Sequence, residues 1–128
     1  MKTRWIILMG FVLLVGLGCS SNEIKALPQE LMGEWETTEP KYDGFTFQLT
    51  QEMITFMDAK AENGVEAYMI QKRTKDFDKK AKRDIYTIYY KNKEDLKLQF
   101  ALSYDPSGGG RVVLKNQTGF FWTRHKDS

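Results

Sequence analysis

The chain has 128 residues, enough for one domain with a modest core and too few for two, and 41% of them are hydrophobic. Nineteen Lys and Arg stand against seventeen Asp and Glu; Lys2 and Arg4 account for the whole excess, so the balance gives no electrostatic footprint for nucleic acid. One cysteine excludes an internal disulfide and a multi-thiolate metal site, and one histidine leaves few routes to acid–base or metal chemistry.

Met1-Lys2-Thr3-Arg4 is followed by an apolar run from Trp5 to Gly18, then Cys19 and the polar stretch Ser20-Ser21-Asn22-Glu23. A basic start, a short apolar middle and small residues at the exit predict a secretory signal peptide over 1–18, too short for a comfortable membrane span. Gly18-Cys19 resembles the lipobox of bacterial lipoproteins, with Gly16 where that family usually carries Leu. The resemblance implies cleavage before Cys19, lipid on its sulfur and acylation (for example by palmitate) of the new N-terminus. It implies a cell-envelope protein anchored by lipid. Ser20 is not the Asp associated with inner-membrane retention, so the expected site is the periplasmic face of the outer membrane in a Gram-negative cell. Otherwise it is the outer leaflet of the cytoplasmic membrane. Residues 19–30 are expected as the lipidated Cys and a tether, of which the 11 residues 20–30, ending in Leu27-Pro28, reach roughly 36 Å when extended. The domain is expected over 31–128.

From Leu31 onward the pattern has period two. Leu31, Gly33 and Trp35 alternate with Met32, Glu34 and Glu36, up to the Glu39-Pro40 turn signal. Phe45, Phe47 and Leu49 form a second run, and Ile54 and Phe56 mark a third. Val65 to Arg73 is a fourth, less regular because Tyr68, Met69 and Ile70 are adjacent. Ile85 to Lys91 is β-branched and aromatic, and Leu96 to Tyr104 alternates most cleanly. Asp105 to Gly110 reads as a turn, Val112 and Leu114 as a seventh strand, Gly119 to Arg124 as an eighth. The only helical signals after Cys19 are single turns near Pro28–Leu31 and within Asp76–Lys82.

Eight short strands joined by short loops predict an all-β antiparallel meander. Closing it removes two open edges and a broad apolar face, which predicts a small eight-stranded up-and-down β-barrel; a two-sheet sandwich produces the same alternation. Gly33-Glu34-Trp35 on the first strand resembles the opening motif of lipocalins, and Phe121-Trp122-Thr123-Arg124 supplies an Arg on the last. The resemblance implies a barrel plug made of Gly33, Trp35 and Arg124, with the guanidinium over the indole. The middle lipocalin motif, Thr-Asp-Tyr, has no counterpart in this sequence, and the family's C-terminal helix is not expected.

Signals for chemistry are few. His125 sits near the chain end between Arg124 and Lys126 and is expected to be solvated. Gly108-Gly109-Gly110 leads from strand to strand and lacks the helix N-terminus that a phosphate loop uses. Glu34 and Glu36 share the outer face of the first strand, an arrangement that favours solvated carboxylates. No catalytic motif, cofactor or metal set is expected, and no enzyme activity. Three features point to binding. Phe45, Phe47, Ile54, Phe56, Leu98, Phe100 and Leu102 either line an apolar pocket or fill the interior. The run from Lys72 to Arg83 has seven positive and two negative charges. Read as a long hairpin loop, it offers Lys72, Arg73, Lys75, Phe77, Lys79, Lys80, Lys82 and Arg83 to anionic headgroups, or simply to water. Tyr86, Tyr89 and Tyr90 fall on both faces of one strand. The expected function is a membrane-anchored lipoprotein whose non-catalytic barrel binds a small hydrophobic ligand or lipid. The alternative is a protein-interaction module with a filled barrel, an inhibitor or an envelope-assembly factor.

Overall fold

A computed structural model describes residues 22–125 except 116 and 118. The expected signal peptide and Cys19 lie outside the described residues. The described chain is all-β and antiparallel, with three single-turn 3₁₀ segments at Gln29–Leu31, Pro40–Tyr42 and Ser107–Gly109. Its strands are β1 (Asn22–Glu23), β2 (Gly33–Glu36), β3 (Phe45–Leu49), β4 (Met53–Asp58) and β5 (Val65–Met69). They continue as β6 (Lys72–Asp78), β7 (Arg83–Lys91), β8 (Lys97–Asp105), β9 (Arg111–Leu114) and β10 (Trp122–Arg124).

These ten strands form one sheet in the order β1-β6-β7-β8-β9-β10-β2-β3-β4-β5. First and last long-range partners meet as expected: β10 pairs with β2 through Thr123↔Glu36 and Arg124↔Trp35. The eight-stranded closed barrel does not occur. The sheet opens between β5 and β6, where the predicted fourth strand breaks in two at Ile70-Gln71. The cause lies in the three adjacent apolar residues Tyr68, Met69 and Ile70, which cannot all keep strand parity. Tyr68 stays on the concave face with Ile54, Met69 points outward, and Ile70 turns into the core, 8% exposed. The Ile70 amide then donates to Glu52 O (2.8 Å) and the Gln71 amide to Tyr89 O (2.8 Å), single bonds to either side in place of a ladder.

The charged run expected as a loop is also a strand over most of its length. Lys72–Asp78 pairs residue for residue with Arg83–Tyr89 of β7, leaving only 79–82 as a turn. Its outer edge is covered by β1, whose Asn22 and Glu23 oppose Lys75 and Thr74. The segment expected as a tether is therefore bound to the sheet from Asn22 onward. Ile24 continues the pairing through its amide to Arg73 O (2.9 Å), Leu27 is held by Gln51 on both its amide and carbonyl (2.9 Å each), and Leu31 is fully buried.

The curled sheet brings its concave face together around Trp35, Leu49, Ile54, Ile88, Leu102 and Val112, all wholly buried. Burial of such side chains contributes roughly 1.5–3 kcal/mol each. Facing strands touch across the interior, with the Phe47 and Phe100 rings 5.1 Å apart at a steep angle.

Candidate functional site

Toward one end of the concave face the packing loosens into a cleft of about 160 Å³, lined by Tyr42, Phe45, Phe47, Phe56, Phe100 and Trp122, with Thr46, Leu114 and Gln117 completing it. Strand alternation places most of these residues. Phe45 and Phe47 on β3 face Asp58 and Phe56 on β4, and Phe100 reaches across from β8. Phe56 continues the aromatic contact to Tyr68 of β5 and Tyr90 of β7, whose rings lie 5.0 Å apart.

The cleft has one polar anchor. The Gln117 amide nitrogen donates to the Tyr42 hydroxyl (2.9 Å), and its carbonyl oxygen accepts from Trp122 Nε1 (3.2 Å). Tyr42 in turn stacks on Phe120 at 5.6 Å. Tyr42 stands at the end of the 3₁₀ turn started by Pro40, and Gln117 in the loop after β9. Neither position belongs to an alternating run, so period-two reading passes over both; Pro40 followed by Tyr42 was the one available signal.

Of the seven residues expected to line a pocket, Phe45, Phe47, Phe56 and Phe100 meet in this cleft. Ile54 and Leu102 lie deeper, in the fully packed core, and Leu98 is half-buried away from it. On β5, Tyr68 donates to Glu66 Oε1 (2.9 Å), which together with burial raises the phenol pKa above its ordinary value. Burial raises Tyr90 likewise, with the Glu66 charge adding to it. These hydroxyls stay protonated and offer donors rather than nucleophiles.

The expected barrel-plug residues also come together. Arg124 lies over the Trp35 ring with its Cζ 4.6 Å from the centroid, and its Nη2 donates to Glu30 O (2.9 Å) and its Nη1 to Met32 O. Trp35 Nε1 donates to Leu31 O at 3.0 Å. Gly33 is at φ +121°, and a Cβ there would meet Arg124 Nη1 at 2.5 Å.

The residues expected to contact headgroups are scattered rather than gathered in one loop. Lys72 sits 5.2 Å from the Tyr89 ring centre, Arg73 Nη2 donates to Gln51 O (2.5 Å), and Lys75 pairs with Asp84 (3.7 Å). Arg83 opens β7, and Phe77, Lys79, Lys80 and Lys82 remain exposed at the hairpin tip. Of the three tyrosines, Tyr86 and Tyr90 face inward and Tyr89 outward.

His125 departs from expectation. Its amide donates to Glu34 O (2.7 Å), extending the β10–β2 ladder by one residue, and its Nδ1 lies 2.7 Å from Glu36 Oε1. Among the described residues no group of three or more His, Cys, Asp or Glu converges as a metal site.

Comparison with protein-family models, with curated proteins and with solved structures finds no significant match. The chemistry of the cleft therefore has to be read from its own walls. It presents aromatic faces, one amide already engaged in two hydrogen bonds, and no convergent charged pair.

Proposed function

We propose that this chain is a lipid-anchored envelope protein, attached through Cys19, that holds a small apolar group in the aromatic cleft without chemically altering it. The observation that carries the reading is the cleft itself, a recess half open to solvent and walled mainly by aromatic side chains. Its size decides between ligand classes. A dry engineered cavity of about 150 Å³ takes up benzene, whereas drug-sized ligands occupy about 300–1,000 Å³. The cleft, at about 160 Å³, suits one ring or the end of an acyl chain rather than a whole lipid. The arrangement of Gly33, Trp35 and Arg124 supports kinship in design with lipocalins, in a sheet that stays open on one side.

The test is thermal denaturation with ring-sized apolar probes such as indole and toluene. The midpoint rises with probe concentration, and Leu114→Trp, which fills the recess, removes the rise. An unshifted midpoint at probe saturation with the parent chain sinks the reading. A second reading, a protein-interaction module, draws on β5. This edge strand leaves Val65 and Met69 more than half exposed, and unpaired strand edges readily accept another strand.

A further inference from the structure

The β6–β7 hairpin combines three observations that the cleft does not use. Its tip, Lys79-Lys80-Ala81-Lys82, is wholly exposed and carries three positive charges with no acid among them. Asp78, which closes the turn, accepts from the amides of Lys80 (2.9 Å) and Ala81 (3.3 Å), so its carboxylate is directed inward to the turn backbone. Phe77 beside the tip is 60% exposed, a large ring with little protein cover.

The third observation is where the chain enters the sheet. β1 runs antiparallel to β6, with Glu23 opposite Thr74 and Asn22 opposite Lys75. Passing from Glu23 back to Asn22 thus moves along β6 toward Phe77 and the tip. Only two residues, Ser20 and Ser21, separate Cys19 from Asn22, a reach of at most about 10 Å over the three steps. The sheet-bound segment from Asn22 removes most of the roughly 36 Å of reach that an unstructured 20–30 tether would have had.

We infer that the β6–β7 hairpin is a docking surface for an anionic lipid bilayer, held against it by the short connection to the anchor. The inference rests on the reading of Cys19 as lipidated for its geometry, and on the hairpin's own charge and exposed ring for its chemistry. The cations meet acidic headgroups and Phe77 enters the interfacial layer, each basic residue adding a favourable increment near such a surface. The orientation has a consequence for the cleft. Register places Arg83 near the Asp105–Arg111 turn, whereas Leu114 of the cleft stands at the other end of β9. The cleft then opens away from the bilayer and exchanges its occupant with the aqueous side.

The experiment uses the full chain, processed in cells, purified in detergent and reconstituted into phosphatidylcholine vesicles with or without phosphatidylglycerol. Surface lysines are acylated by a water-soluble reagent and quantified by mass spectrometry, and the intact mass reports lipid on Cys19. Expected is a several-fold fall in labelling of Lys79, Lys80 and Lys82 in the anionic vesicles alone, with Lys60 and Lys93 unchanged. Phe77→Trp supplies a second readout, quenched by brominated lipid, and K79Q/K80Q/K82Q in that background weakens the quenching. Equal labelling in both vesicles, or protection at Lys60 or Lys93 instead, overturns the docking. A mass without lipid removes the anchor reading, while protection of the tip still decides the docking.

Discussion

Arg124 stands directly opposite Trp35 across the β10–β2 ladder, and its guanidinium carbon sits 4.6 Å from the centre of the indole ring. The pair joins the start of the domain to its end, and the same guanidinium holds the Glu30 and Met32 carbonyls of the lead-in turn. Trp35 is fully buried beneath it. Trp35→Ala is expected to cost about 3–5 kcal/mol, the usual range for removing a buried aromatic side chain. Arg124→Ala costs less, about 0.5–2 kcal/mol, because its charge is near solvent. Urea denaturation of both single variants and the double variant measures the coupling. A loss under about 1 kcal/mol for Trp35→Ala contradicts the pair's role in closing this end of the core.

Gly33 is required by that same pair for a separate reason. Its φ of +121° strains any side chain, and a Cβ would strike Arg124 Nη1 at 2.5 Å. Gly109, at φ +88° with nothing within 4 Å of its Cβ position, isolates the backbone cost. Gly109→Ala is therefore expected to lose about 1–3 kcal/mol, and Gly33→Ala to lose more by about the worth of the displaced cation–π contact. In an Arg124→Ala background the excess should vanish, which denaturation midpoints of the four chains will read.

How much of this was legible in the sequence depends on parity. Leu96–Tyr104 alternates without interruption and became β8 at Lys97–Asp105. Gly33, Trp35 and Arg124 belong to a spaced motif and meet in the fold, and Phe45, Phe47, Phe56 and Phe100 fall on alternating strand faces that meet at the cleft. Parity fails at Tyr68-Met69-Ile70, where one residue must leave the strand face, so the pattern runs on from Val65 to Arg73 where the strand breaks. Lys72–Asp78 was missed because its strand character comes from pairing with β7 and cover by β1, not from burial of its own side chains. Thr74 is its single fully buried residue. Gln117 was missed since its role is to bridge Tyr42 and Trp122, a relation between distant loops that no local pattern encodes.

The anchor has its own test. Cys19→Ala is expected to abolish incorporation of labelled palmitate and to leave a longer, uncleaved chain on a denaturing gel. Label retained by the variant places the lipid elsewhere and separates the leader from the proposed attachment.

Asp105 sets an acid limit on the β8–β9 turn. Its Oδ1 accepts from the Ser107 hydroxyl (2.7 Å) and amide (2.9 Å), and its Oδ2 faces Arg111 Nη2 at 3.2 Å. The Ser107 hydroxyl and amide, followed by the charges of Arg111 and Arg83, hold the carboxyl below its ordinary value against the opposing pull of burial. Protons therefore bind this carboxylate less readily in the folded chain than in the unfolded one, where its pKa is about 3.9. Its stabilisation is complete above that value and is lost as pH falls through the lower folded one. Asp105→Asn should weaken the fold at neutral pH and flatten the fall in stability below about pH 4, where the unfolded carboxyl takes up its proton before the folded one does. Ser107→Ala should do the same in part, since it removes the largest cause and leaves the amide and Arg111 in place. Denaturant midpoints measured across that window check both, and parallel pH profiles for parent and Asp105→Asn chains contradict the assignment.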